Sequence, residues 1–453
     1  MTDMAQLHRK EQIAVLIRKK ITQENILTPS TIAKWITYRG VDITDRIITT
    51  QIRKCDFEPK VYELSSKRDL KGADNSQAAL ISINDPIALG YLVTNIEMIR
   101  AKFKTLIIGG QIPSLIPQKI SKMFPYANIF VGECEGSILR IINDAIDGKT
   151  GQIYTAPIVD LKNEYIIPDA TYKPSGIMYS AELGRGCTHG CSFCGMPPSS
   201  KKVRIRNPEQ VIEELDRVGT RILFVDPNIS LYPPEYLEKI FGYLEKKGKF
   251  WTGEGSSKEL IENPGIWDLM SRTCIGFLTG YEDPKLVELR GKKNGFGVLE
   301  QMNGAFVLNS AIIGHPKQDE NSLLEMAKVF RENNLTGVFH MYAPYPGTRD
   351  FETLKKSGSI LENNFFRYNR HDVVVNTEMG IKKTREIFRT VNRTAQTITG
   401  TLKEILRMIK NSSSFKLAFI RIASVIGIRF RNYMMGYKIK YTKEEIIVPI
   451  EID

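Results

Sequence analysis

Three of the chain's six cysteines, Cys187, Cys191 and Cys194, fall within eight residues of the stretch LGRGCTHGCSFCGMPP, residues 183–198. With few cysteines for 453 residues and no secretory signal, the expected location is the cytoplasm, where thiols stay reduced and bind metal rather than bridge. Two metal chemistries compete. A zinc site normally wants four ligands, so His189 or a distant residue would have to supply the fourth. An iron–sulfur cluster on three thiolates instead keeps one iron free for another ligand.

The flanks say how such a loop would be held. IMYSAEL (177–183) reads as a strand entering a loop in which Gly184, Gly186 and Gly190 allow close backbone approach. After the loop, Val211, Ile212, Leu215 and Val218 fall on one helical face, with Asn207 placed to cap and Pro208 to begin the helix. Five further β-rich runs follow at 221–226, 249–255, 274–283, 306–316 and 336–348, with amphipathic helical segments such as 319–334 between them. Six strand–helix units predict a partial (β/α)6 barrel, with its site at the C-terminal strand ends. Polar residues gather at those ends: Asp226 and Asn228, Glu254, Glu282 with Asp283, His315, and Tyr342 with Tyr345.

The preceding segment is α/β as well. Strands are expected at 12–19, 59–65, 78–84, 103–111 and 128–136, and helices at 28–40, 90–102 and 137–148. This predicts a doubly wound, Rossmann-like parallel sheet whose ligand crevice lies beyond the strand carboxyl ends. The candidate loops carry Ser82, then Gly109, Gly110 and Gln111, then Gly132 and Glu133. Domains are expected at 1–170, 171–370 and 371–453.

The third region is small, helical and basic. Its apolar stretch FKLAFIRIASVIGIRFRNYMMGYKIK is interrupted by Arg421, Arg429 and Arg431, too charged to span a bilayer. It is expected to pack across the barrel with a basic stripe outward, or to lie on an anionic membrane surface. The net charge of +12 permits an acidic partner, but no basic–aromatic stripe marks a nucleic-acid surface.

The C-x3-C-x2-C spacing with Phe193 before the last cysteine resembles the radical S-adenosylmethionine (SAM) superfamily. Residues 177–370 are similar to its cobalamin-binding branch through CSFCGMPP, FVDPNISL, TGYED, IIGHPKQDENSLLEMAKVF and YAPYPGT. The segment LIIGGQIPSLIPQKI…NIFVGECEGSILRII is similar to that branch's cobalamin-binding-type domain, with Gln111 and Ile112 where the family usually has Pro-His. No histidine occurs between His8 and His189, so the domain lacks the D-x-H-x-x-G motif.

The resemblance implies that Cys187, Cys191 and Cys194 hold a [4Fe-4S] cluster whose free iron chelates SAM and whose electron cleaves it to a 5′-deoxyadenosyl radical. Phe193, Gly195, Asp226, Glu254 and Glu282 would lie on the cluster and SAM side. Ser82, Gly109, Gly110, Gln111, Gly132 and Glu133 would lie on the cobalamin side, and Tyr342 and His371 at the substrate. Implied partners are an electron donor such as flavodoxin or ferredoxin and a small-molecule or peptide substrate. The implied reaction is methylation of an unactivated carbon, or in some relatives cyclisation or rearrangement. A tRNA methylthiotransferase would need three more cysteines in the first domain, where only Cys55 and Cys134 occur.

Overall fold

A computed structural model describes residues 12–18, 43–64, 76–165, 167–168, 178–281 and 306–438. The helix expected over 28–40, and Glu282, Asp283 and Pro284, lie outside the described residues.

The first sheet has strands β1 (Gln12–Arg18), β2 (Glu58–Leu64), β3 (Ser76–Ser82), β4 (Thr105–Gly109), β5 (Ala127–Val131) and β6 (Ile153–Thr155). Their order, β2-β1-β3-β4-β5-β6, is parallel throughout, as the doubly wound reading requires. Alternate residues serve the two faces. Ala79, Ile81, Leu106 and Ile108 pack on one side, while Leu80, Ile107 and Phe130 meet helix Ile138–Ile146 on the other. Helix Ile43–Lys54, which the sequence reading did not anticipate, packs on that second face through Ile48 and Ile52. Its β-branched residues give weak helix propensity, so burial decides.

The second sheet runs β14-β13-β12-β11-β10-β7, again parallel. Its strands are β7 (Tyr179–Ala181), β10 (Arg221–Phe224), β11 (Phe250–Gly255), β12 (Cys274–Tyr281), β13 (Val307–Ile313) and β14 (Thr336–Met341). A two-stranded antiparallel ribbon, β8 (Gly184–Arg185) with β9 (Arg204–Ile205), brackets the cysteine loop. Successive barrel strands are neighbours in space, and the described connections carry outer helices such as Pro234–Lys247 and Glu320–Glu332, as in a partial (β/α)6 barrel. Aromatic packing locks its first half: Trp251 lies 4.7 Å from Phe241 and Trp267 5.2 Å from Phe277, ring centre to ring centre.

The anticipated capping holds. Asn207 accepts from the Glu209 N–H, and Pro208 opens helix Pro208–Asp216. The last helices, Gly380–Thr394, Ile398–Asn411 and Phe415–Lys438, pack outside the barrel. Buried Arg421 donates to the carbonyls of Cys274 and Ser271, at 2.8 and 2.5 Å. Buried Arg429 donates to Asn334 O at 2.8 Å and to Thr336 Oγ1 at 3.1 Å. These arginines therefore pin the last helix across the strand starts, opposite the cysteine loop. Among its described side chains the outer stripe carries Phe415, Phe419, Ile426 and Phe430 beside Lys416, so it is more apolar than the basic stripe expected.

Candidate active site and cofactor cavity

The cysteine loop leaves the barrel where the two sheets present their carboxyl ends to each other. Its base is fixed by Asp226, whose carboxylate accepts from the N–H groups of Leu183 and Gly184 and from the Tyr232 hydroxyl, at 2.9, 2.7 and 2.6 Å. Burial raises Asp226 to about 7, although the Tyr232 hydrogen bond opposes the shift. Asp226 is thus a buried clamp beneath the loop. Gly186 sits at φ +101°, and an added Cβ there would fall 2.1 Å from the Lys202 carbonyl oxygen, so no larger residue closes the loop.

Cys187 and Cys191 are half-buried and Cys194 is exposed. The Cys194 thiol opens to solvent between protein walls that raise its pKa, and the nearby Cys191, Cys187 and Glu254 raise it further. His189, the fourth ligand a zinc site would need, is hydrogen-bonded to Glu259 at 2.9 Å. Among the described residues no three His, Cys, Asp or Glu side chains converge on a single-ion site. Three soft thiols on one short loop suit a cluster, which spreads its ligands over several irons.

Two more segments hold the loop. The Gln111 side-chain amide, from the first domain, donates to the Gly195 carbonyl. Tyr345 packs so closely on Gly195 that a Cβ there would lie 2.6 Å from the ring. Arg349 donates to Gly190 O at 2.8 Å, and the Asp350 N–H donates to Ser192 O at 3.2 Å. Phe193 packs into the apolar cluster shared by the first domain and the segment that follows the barrel's last strand, including Tyr342 and Phe351.

Beside the loop lies a cavity of about 330 Å³. Ser82, Gly109, Gly110, Gln111, Gly132 and Glu133 line it from the first sheet, and Gly186, Met196 and Pro197 from the cysteine loop. It extends inward as an apolar slot between Leu80, Ile107 and Phe130 and the helices carrying Ile48 and Ile141. The glycines at the mouth answer to protein packing, since a Cβ on Gly110 would lie 2.7 Å from Asn84 and one on Gly109 3.4 Å from Phe130, while the slot behind them is apolar. Its largely apolar lining suits part of a large cofactor such as a cobalamin, and among the described residues no histidine lines it.

Glu133 lines the cavity, yet its carboxylate is engaged by Arg204 at 2.5 Å and by Arg185 at 3.3 Å. The Arg204 hydrogen bond and both guanidinium charges outweigh burial and hold it below the usual carboxylate range. Arg185 also pairs with Glu135 and Glu182. The Gly-Glu-x-Glu segment therefore latches the first sheet to the ribbon below the cysteine loop, a role the sequence reading missed.

A second latch is deeper. Fully buried Arg46 donates to Ser180 O at 2.7 Å and lies 3.8 Å from Glu214, which also pairs with buried Arg206 at 2.7 Å.

At the barrel mouth, Glu254 and Arg370 confront each other electrostatically. Glu254 opens into the concavity, and surrounding protein raises it to about 7 against the opposing pull of Arg370. Arg370 has φ +66°, donates to the Tyr345 hydroxyl at 2.9 Å, and senses Asp85 and Glu254. Neither forms an ion pair within 4.0 Å among the described residues. Sequence reasoning singled out His371 and passed over its neighbour Arg370, whose guanidinium faces Glu254 at the barrel mouth. His371 packs against Phe388, with ring centres 6.4 Å apart. Tyr342 donates to Asp350 at 2.6 Å and packs on His315.

The fold and site define a class: a doubly wound sheet domain facing a partial barrel across a three-cysteine loop. No family model matches the chain. Over 282 residues it is 25% identical to bacteriochlorophyllide d C-12(1)-methyltransferase of Chlorobaculum tepidum, covering 56% of this chain and 61% of that relative. The C-8(2)-methyltransferase of the same organism is 21% identical over 318 residues, covering 62% and 68%. The uS12 methylthiotransferase RimO of Sulfurimonas denitrificans is 22% identical over 260 residues, covering 52% and 57%. The chain thus spans less than two thirds of the first of these relatives. The solved structure of the cobalamin-dependent SAM radical enzyme OxsB superposes with TM-score 0.62 at 11% identity, covering 94% of this chain and 72% of that one. The chain is thus similar in sequence to these methyltransferases and shares the fold of that solved radical SAM enzyme.

Proposed function

We propose that the chain is a radical SAM enzyme that uses a [4Fe-4S] cluster and cobalamin to methylate an unactivated carbon. One observation carries the reading: the three-thiol loop is held at the junction of the two sheets, directly beside the glycine-mouthed cavity. Cys187, Cys191 and Cys194 would hold the cluster. When bound, the cluster supplies the electron for SAM cleavage and cobalamin acts as a methyl carrier.

The chain's own residues orient and enclose. Arg370 offers a cation and Glu254 a carboxyl group at the barrel mouth, complementary to the carboxylate and ammonium of SAM's amino-acid end once the bound ammonium favours the ionised Glu254. Gln111 and Tyr345 fix the loop from both domains, so that two cofactors would meet in one water-poor space. The relatives named as methyltransferases support methyl transfer. Methylthio transfer is less well supported, because Cys55 and Cys134, the first domain's two cysteines, pack against its apolar cluster. The substrate would be a small molecule or peptide, and the electron donor a flavodoxin or ferredoxin.

The test is anaerobic reconstitution with iron, sulfide and hydroxocobalamin, followed by absorption and EPR spectra with and without SAM. A reduced-cluster signal perturbed by SAM, together with retained cobalamin, is expected. Replacing Cys187, Cys191 and Cys194 by Ala should remove the signal. A cluster without cobalamin would overturn methyl transfer, and zinc without a cluster would overturn the class.

A further inference from the structure

The helices Ile398–Asn411 and Phe415–Lys438 pack against each other and bury their inner faces through Met408, Leu417, Val425 and Ile428. Their outer faces are strongly apolar. Ile398 is 82% exposed, Leu402 56%, Leu406 66% and Ile409 57%, and these residues recur at helical spacing. The next helix continues the surface with Phe415, 87% exposed, then Phe419, Ile426 and Phe430. Among the described residues, eight of the fourteen large exposed hydrophobic side chains lie on these two helices, so the patch is not the ordinary scatter of a soluble surface.

Charge identifies what would cover it. Between 398 and 438 the sequence has eight Lys and Arg residues against one acidic residue, Glu404, which is turned inward and paired with Arg407. Exposed Lys403, Lys410 and Lys416 flank the apolar stripe. A second copy pressed face to face would set like charges against like charges. An anionic surface with an apolar interior instead satisfies both features at once.

We propose that this face docks the protein on an anionic lipid bilayer as a peripheral, in-plane contact. Among the described residues no helix is long and apolar enough to cross a membrane, so the contact is superficial. Because Arg421 and Arg429 pin the last helix across the strand starts, docking there keeps the cysteine-loop end of the barrel turned from the lipid. The inference does not depend on the proposed chemistry.

The test is co-sedimentation of the full chain with phosphatidylcholine vesicles, with and without about one-third phosphatidylglycerol. Binding to the anionic vesicles alone, reduced at about 1 M salt, is expected. The variant Leu402→Glu/Leu406→Glu and the variant Phe419→Glu should each lower the bound fraction about tenfold with unchanged circular dichroism, since these side chains are exposed. Lys403→Glu/Lys410→Glu/Lys416→Glu should do the same through charge. Absence of vesicle binding, or binding that ignores these substitutions, overturns the proposal. So does a dimer in lipid-free solution that Leu402→Glu converts to monomer, which would assign the face to a second copy.

Discussion

The Gln111 side-chain amide donates a hydrogen bond to the carbonyl oxygen of Gly195, joining residues 84 positions apart and two domains at the cysteine loop. Gln111 stands at the proline position of the Gly-Gly-Pro-His segment that the resemblance implies, and here its amide serves the loop. Gln111→Ala leaves the Gly195 carbonyl without that donor, at a cost of about 1 kcal/mol. The expected result is an unchanged melting temperature within a few degrees but faster cluster loss in air, read as decay of the absorption band.

Glu214 neutralises two buried arginines, Arg46 from the first domain and Arg206 from the barrel. Glu214→Gln leaves both charges buried without their carboxylate, and removal of a buried partner typically costs about 3–5 kcal/mol. Chemical denaturation should show that loss. A companion variant, Glu209→Gln, removes an exposed pair with Lys239 and should change stability by less than about 1 kcal/mol.

Asp226 gives a pH signature. Burial raises it to about 7 in the folded chain, so between the ordinary carboxylate range and that value the folded state holds a proton that the unfolded state has released. Its contribution to stability is therefore complete at acid pH and declines as pH rises towards 7. The full span is on the order of a few kcal/mol. Asp226→Asn should flatten this part of the stability–pH curve, measured by denaturant midpoints at several pH values.

Glu254 and Arg370 should matter to ligand and not to fold, since neither is tied by an ion pair within 4.0 Å among the described residues. Glu254→Gln and Arg370→Gln are each expected to weaken SAM binding about tenfold or more, the worth of one charge-assisted hydrogen bond. Equilibrium dialysis of SAM against the reconstituted protein checks this. Unchanged affinity in both would remove them from the SAM site.

Much of the architecture was legible because its signals are local. The C-x3-C-x2-C spacing, the alternation of β-rich and amphipathic runs, and the Asn207–Pro208 start each rest on neighbouring residues. They fixed the class of loop, the six-strand barrel and the doubly wound sheet. The tertiary structure decided what depends on distant partners. Nothing near Arg46 in sequence shows that it is buried against Ser180 and Glu214, because its solvation is replaced from over a hundred residues away. Glu133 lines the cavity, but its engagement by Arg204 and Arg185 depends on partners more than fifty residues away. Arg370 and His371 are adjacent in sequence, but a left-handed backbone at Arg370 accompanies a guanidinium at the barrel mouth and an imidazole packed on Phe388. The last helix carried its arginines visibly, yet only packing showed that Arg421 and Arg429 cap strand starts while Phe415 and Phe419 face outward. Composition records which side chains a segment holds; the barrel it packs against determines which of them reach water.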